Sequence, residues 1–338
     1  MSINDQAGTV RQFVASREAF STAWITGTKI WQAVYTVVFV GFVGFAVTMM
    51  YNTARGAKTP HIPRYTGLYV IAVLLGVSAV FGVYMLWRWR QKYVLTVTGD
   101  TLTVAPRGEV YSLADARLGI WPNIGVALHM QSGGHRFVLG GEERSIGPAT
   151  RLDAEPTELV DARLPASEFD ELLRLGGRAA ARGPAPGEPT RCILFPNSQT
   201  ITTTSPFAFR KKQRLVNSLG RAQLFIDVDN DTIRVVEPET HAVDASAAVS
   251  RITATPLSYE QRADESNRVY RTPVLTLSVP GLAPLTFGCA LSGQRFAWTG
   301  SARLVKDPPA YVLSAADWRT LIEKFALGGL SADAARKS

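Results

Sequence analysis

Histidine and cysteine are scarce in this chain, with four and two among 338 residues. His61, His129, His135 and His241 stand apart from one another and from any cysteine, which excludes the ligand spacings of the common zinc sites. Cys192 and Cys289 are too few for a disulfide framework and read as small, reduced, apolar core residues. A phosphate-binding glycine loop, a nucleophile elbow and a paired-carboxylate site are all missing in recognisable form. Asp227-x-Asp229-x-Asp231 resembles the start of a calcium loop, yet the sixth position is Thr232 and the twelfth Pro238, where Gly and Glu are required. Those acidic residues are expected to turn a hairpin. The pattern points away from an enzyme, and no cofactor or metal is expected.

Charge is missing in another sense. Residues 30–51 and 66–87 contain no Asp, Glu, Lys or Arg. Each run is long enough to cross the ~30 Å hydrocarbon core of a bilayer as a helix. Aromatic residues mark their ends: Trp24, Trp31 and Tyr51 for the first, Tyr65, Tyr69, Tyr84, Trp87 and Trp89 for the second. A two-helix transmembrane hairpin over 30–87 is therefore expected. The basic residues Arg11, Arg17, Lys29, Arg88, Arg90 and Lys92 outnumber Arg55, Lys58 and Arg64 of the connection, which places both termini in the cytoplasm of a cell with an inner membrane. Gly41, Gly44, Ala72, Gly76, Ser78 and Gly82 are candidate helix-packing positions. Residues 1–29 read as an amphipathic interfacial segment, with Val10, Phe13, Val14, Phe20 and Trp24 near one helical face, or as a plain N-terminal extension of the first span.

The remaining 250 or so residues, roughly 88 onward, contain a duplication. Phe169, Leu172 and Leu173 match Trp318, Leu321 and Ile322 at a constant offset of 149 (169 to 318), each set spaced for one face of a helix. Upstream, Tyr93-Val-Leu-Thr-Val-Thr and its turn at Gly99-Asp100 match Leu224-Phe-Ile-Asp-Val at an offset of 131 (93 to 224). The first alternates with period two, as strands do. The second copy is expected to carry 18 extra residues (149 less 131), placed in the polar stretch 257–271. Each unit, 88–176 and 191–328, is thus several strands closed by one amphipathic helix. Residues 177–190, rich in Gly, Pro, Ala and Arg, read as a flexible linker, and 329–338 as a tail.

Two apolar runs, then Arg88-Trp-Arg-Gln-Lys-Tyr-Val-Leu-Thr-Val-Thr-Gly-Asp-Thr-Leu-Thr-Val, then strands and a closing helix, resemble the bacterial membrane proteins with pleckstrin-homology-like domains. The resemblance implies a membrane helical hairpin followed by two α+β units, each a bent antiparallel sheet with a C-terminal helix. The Ala, Gly and Arg richness fits an actinobacterial source. Such a protein would act as a non-catalytic adaptor or accessory subunit of an envelope transport or assembly complex, presenting two interaction domains at the cytoplasmic face. Its partners would be membrane lipids and another membrane protein complex.

One charge run stands out: Phe207 and Phe209 beside Arg210, Lys211, Lys212 and Arg214. Such a cluster attracts anionic headgroups while its rings insert, which makes anionic-lipid binding through 207–215 the alternative reading. The net charge of +8 agrees with an acidic partner surface. No nucleic-acid module accompanies the cluster, so nucleic acid is not an expected partner.

Overall fold

The computed structural model describes residues 10–17, 36, 50–51, 55, 76, 79, 82–84, 86–87, 90–200, 209–262, 269–290, 297–298, 302–327 and 330–331. Two large sheets dominate. The first joins β1 (Arg11–Arg17), β2 (Lys92–Thr98), β3 (Thr101–Ala105), β4 (Glu109–Ser112), β5 (Arg117–Trp121), β6 (Gly125–Ser132), β7 (His135–Glu142) and β8 (Ala162–Pro165) in the order β4-β3-β2-β1-β8-β7-β6-β5. Strands β7 and β8 pair in parallel, and the other neighbours in this sheet pair antiparallel. The alternation read in β2 is real: Tyr93, Leu95 and Val97 are buried between less buried neighbours. Gly99, at φ +61°, makes the turn into β3. The sheet bends until β4 lies against β6, and α1 (Ala166–Leu175) closes it with Phe169, Leu172 and Leu173 inward.

The second sheet repeats this path. Its strands are β9 (Thr190–Pro196), β10 (Leu224–Val228), β11 (Thr232–Val236), β12 (Val243–Ala248), β13 (Thr253–Arg262), β14 (Val269–Ser278), β15 (Leu285–Ala290), β17 (Arg303–Val305) and β18 (Tyr311–Ser314). They run β12-β11-β10-β9-β18-β15-β14-β13-β17, the order of the first sheet with one strand added at an edge. A helix (Phe209–Ser218), here α2, lies between β9 and β10, and α3 (Ala315–Lys324) closes the unit as α1 closes the first. The registers agree to the residue. Phe13 pairs with Leu95 in the first unit and Cys192 with Ile226 in the second, so Leu95 and Ile226 keep the offset of 131 (95 to 226). Much of the extra length is the hairpin of β13 and β14, ten residues a strand where β5 has five and β6 eight. A short ladder of β16 (Ala297–Trp298) and β19 (Leu330–Ser331) adds Trp298, buried against Trp318 with ring centroids 5.7 Å apart.

The units are fused through β9. All seven of its residues are buried, because both faces are covered. Cys192 and Leu194 point into the second core, while Ile193 and Phe195 join the first core together with Phe225 and Val236. The Arg191 N–H donates to the Ile146 carbonyl at 2.7 Å, so the chain leaving β7 pairs directly with the second unit. On the equivalent face of β1, Val14 is 53% exposed. The two units therefore pack head to tail.

Several expectations are corrected here. The architecture is mostly β, and among the described residues no helix is long and apolar enough to cross a membrane. Helices α1, α2 and α3 have ten residues each, about 15 Å of length against the ~30 Å that a bilayer requires. Two fused, mostly β units stand where two α+β units behind a membrane hairpin over 30–87 were expected, and the multi-pass inner-membrane placement with cytoplasmic termini has no membrane-crossing helix behind it among the described residues. Most of 30–51 and 66–87 lies outside the described residues. A hydropathy window measures only the mean polarity of a short segment. It does not register that Ser16 and Lys92, which flank this stretch, are antiparallel partners, so 18–91 is an insertion between adjacent strands of one sheet. The amphipathic segment expected at the N-terminus contains a strand, β1, seated between β2 and β8.

Residues 177–190, expected to be a flexible linker, are pinned. The buried Arg144 Nε donates to Asp170 Oδ1 at 2.6 Å, and its Nη2 donates to the Ala181 carbonyl. The Gly183 N–H donates to the same carboxylate oxygen at 2.9 Å.

Candidate functional site

Between the repeats opens a cleft of about 1100 Å³. One wall is the segment 148–158 of the first unit. It lies along the free edge of β5, where the Asp153 and Ala154 N–H groups both donate to the Leu118 carbonyl and the Thr157 N–H donates to that of Ile120. Asp153 Oδ1 returns the contact by accepting from the Leu118 N–H at 3.0 Å. Gly119 permits this approach, since a methyl there would sit 2.9 Å from the Glu155 carbonyl oxygen. Pro148, Pro156 and Pro122 stiffen that wall and its base.

The opposite wall belongs to the second unit. It is built from the C-terminal end of α2 (Val216, Asn217), the following Gly220-Arg221-Ala222, and the turn from β11 to β12 with Pro238, Glu239 and His241. That turn is closed by two hydrogen bonds, Glu237 N–H to Ala242 O and His241 N–H to Glu237 O, both 2.9 Å. His241 takes a left-handed backbone, φ +56°, and lays its ring near Phe225 at 6.4 Å between centroids.

The floor is apolar with one embedded ion pair. Ile120, Leu152 and Phe225 supply the apolar surface. Arg191 stands opposite Asp227 across β9 and β10 and is locked to it by two hydrogen bonds, Nε to Oδ1 at 2.6 Å and Nη2 to Oδ2 at 2.8 Å. Its guanidinium also lies over Phe225, 4.7 Å from the ring centroid. Both partners are 7% exposed, so the charge is neutralised where it stands.

Behind the cleft, Asp317 ties the repeats together. It is buried at the start of α3 and accepts from Ser145 Oγ of the first unit at 2.8 Å and from the Ile193 N–H at 3.1 Å. Burial pushes its carboxyl from 3.8 up to about 6, and these hydrogen bonds hold it from rising further. Arg319 reaches Glu143 across the same seam.

The residues singled out in the sequence lie elsewhere or apart. Phe207 is outside the described residues, as are the side chains of Phe209, Arg210, Lys211 and Lys212, whose backbone begins α2; Arg214 is exposed on the same helix. Gly41, Gly44, Ala72 and Ser78 are also outside the described residues, and a methyl on Gly76 or Gly82 would meet nothing within 4 Å. His129 and His135 do not converge. His129 contacts Arg136 at 3.3 Å and is pushed down to about 4 by burial and by Arg136 and Arg117, while His135 faces Glu109 at 3.6 Å. Asp227 is occupied by Arg191, and Asp229 lies 4.0 Å from Arg234 at the hairpin turn. Both thiols are free, and burial raises them well above the ordinary range. Among the described residues no group of three His, Cys, Asp or Glu could hold a metal ion.

The cleft was not visible in the sequence. Its lining comes from loops and helix ends of both repeats, and only the Gly and Pro punctuation of 147–156 and 220–238 hinted at ordered connections there. No family model, curated protein or solved structure matches the chain, so none identifies it with the bacterial proteins carrying pleckstrin-homology-like domains.

Proposed function

We propose that this chain is a non-catalytic binding protein, an adaptor whose partner-contacting element is the cleft between its two repeats. The observation that carries the reading is the fusion itself. A strand buried on both faces makes one body of two repeats, and that body holds open a cleft with an apolar floor and a polar rim. Sites of that composition hold ligands, the floor by area and the rim by orientation. The titratable groups of the rim are spread over separate loops, which suits recognition better than proton transfer. The cleft is as large as the roomiest small-molecule pockets, usually ~300–1,000 Å³, and has room for a polypeptide segment.

The test is site-specific photo-crosslinking in the native host. A photoreactive residue at Asn217 or Glu239 should yield one discrete adduct, and the same residue at the exposed Lys306, away from the cleft, should not. Adducts of equal yield at all three positions, or none at the two cleft positions, would overturn the reading. Anionic-lipid binding through 207–215 is carried by no described geometry beyond the exposed Arg214, since the side chains of Phe207, Phe209, Arg210, Lys211 and Lys212 lie outside the described residues.

A further inference from the structure

We infer that the cleft selects a cationic, partly apolar segment of its partner protein; this rests on the cleft reading above and adds the chemistry of the occupant. Three carboxylates rim the opening, Glu155 and Glu158 on the first wall and Glu239 on the second, all exposed. None has a cation within ion-pair distance among the described residues, whereas ten other carboxylates there do. The cations in the lining are largely matched already. Arg191 is neutralised by Asp227, and the exposed Arg151 is offset in charge by Asp153 at 3.9 Å, so the lining carries an excess of carboxylate over the remaining Arg221.

The backbone adds to the imbalance. Helix α2 directs its C-terminal end, the negative end of its dipole, at the cleft through Val216 and Asn217, and no basic residue sits in its last turn to offset it. Glu158 lies close to the same end, 3.5 Å from where a methyl on Gly220 would stand. This local excess of negative charge belongs to a chain of net charge +8. A cationic peptide is repelled by the molecule as a whole and attracted at this opening, so charge selects both the ligand and its place. Phe225, Leu152 and Ile120 then supply the contact for its apolar side chains.

The experiment uses the full chain and three fluorescent peptides of equal length in which Leu alternates with Arg, with Ser or with Glu. Anisotropy should show the Arg peptide binding, weakening as salt is raised, and losing at least tenfold in affinity when Glu155, Glu158 and Glu239 all become Gln. The Ser and Glu peptides should bind at least tenfold more weakly. Val216→Trp, which fills the cleft from an exposed position, should abolish binding of the Arg peptide. If all peptides bind alike and Val216→Trp blocks them all, the charge selection is wrong and the cleft reading stands. If the Arg peptide binds and Val216→Trp leaves it unchanged, the cleft reading itself is wrong. No binding of the Arg peptide at low salt overturns the inference outright.

Discussion

At the scale of single residues, Asp317 is the most consequential side chain. Its carboxyl is held near 6 against an ordinary 3.8, because burial penalises the charged form. The folded state therefore keeps this proton to a higher pH than the unfolded chain does. The contribution is most favourable below about pH 4 and is lost as pH rises to about 6, by about 3 kcal/mol in all. Urea midpoints should fall across that window, and Asp317→Asn should remove this component of the slope while retaining a cooperative transition. A slope unchanged in the variant would show that another group titrates. Glycine is equally specific at Gly141, where a methyl would sit 2.8 Å from the Phe169 ring. Gly141→Ala should cost about 1–3 kcal/mol of stability, read as a lowered melting temperature, since Phe169 is fully buried and has no room to retreat.

Among elements, the Arg191–Asp227 pair between β9 and β10 lies on the face of β9 turned to the first unit. Removing one partner of a buried ion pair leaves the other charge stranded, so Arg191→Ala should destabilise by about 3–5 kcal/mol. The double variant Arg191→Met with Asp227→Leu should recover most of that loss, because the face it occupies is otherwise apolar. A double variant as unstable as the single one would mean that the pair also orders the strands. The hairpins and closing helices were legible in the sequence, because their periodicity is local: Tyr93, Leu95 and Val97 alternate, and Phe169, Leu172 and Leu173 return on one helical face. Strands β1 and β9 were not. In β1 only Phe13 and Ala15 turn inward and the exposed Val14 between them breaks the apolar–polar alternation, while β9 is buried on both faces and has none.

For the whole molecule, the head-to-tail fusion predicts one unfolding event. Ile193 and Phe195 belong to the core of the unit they do not come from, so the first core is not complete alone. Circular dichroism and tryptophan fluorescence should report coincident urea transitions, and Ile193→Ser with Phe195→Ser should separate them into two. Two transitions in the unaltered chain would show that each repeat stands without the seam. The same fusion explains why the cleft exists only in the assembled chain, since each repeat supplies one wall and no single hairpin or loop contains it.

Duplication, strand alternation and helix faces were already present in the order of the residues, because each depends on neighbours a few positions apart. The insertion of 18–91 between two adjacent strands, the all-buried β9, the ordered 177–190 segment and the acidic opening between the repeats arose only on folding. Each of these joins residues that are remote along the chain, and hydropathy or charge counted in a short window holds no information about which distant surface a residue will meet.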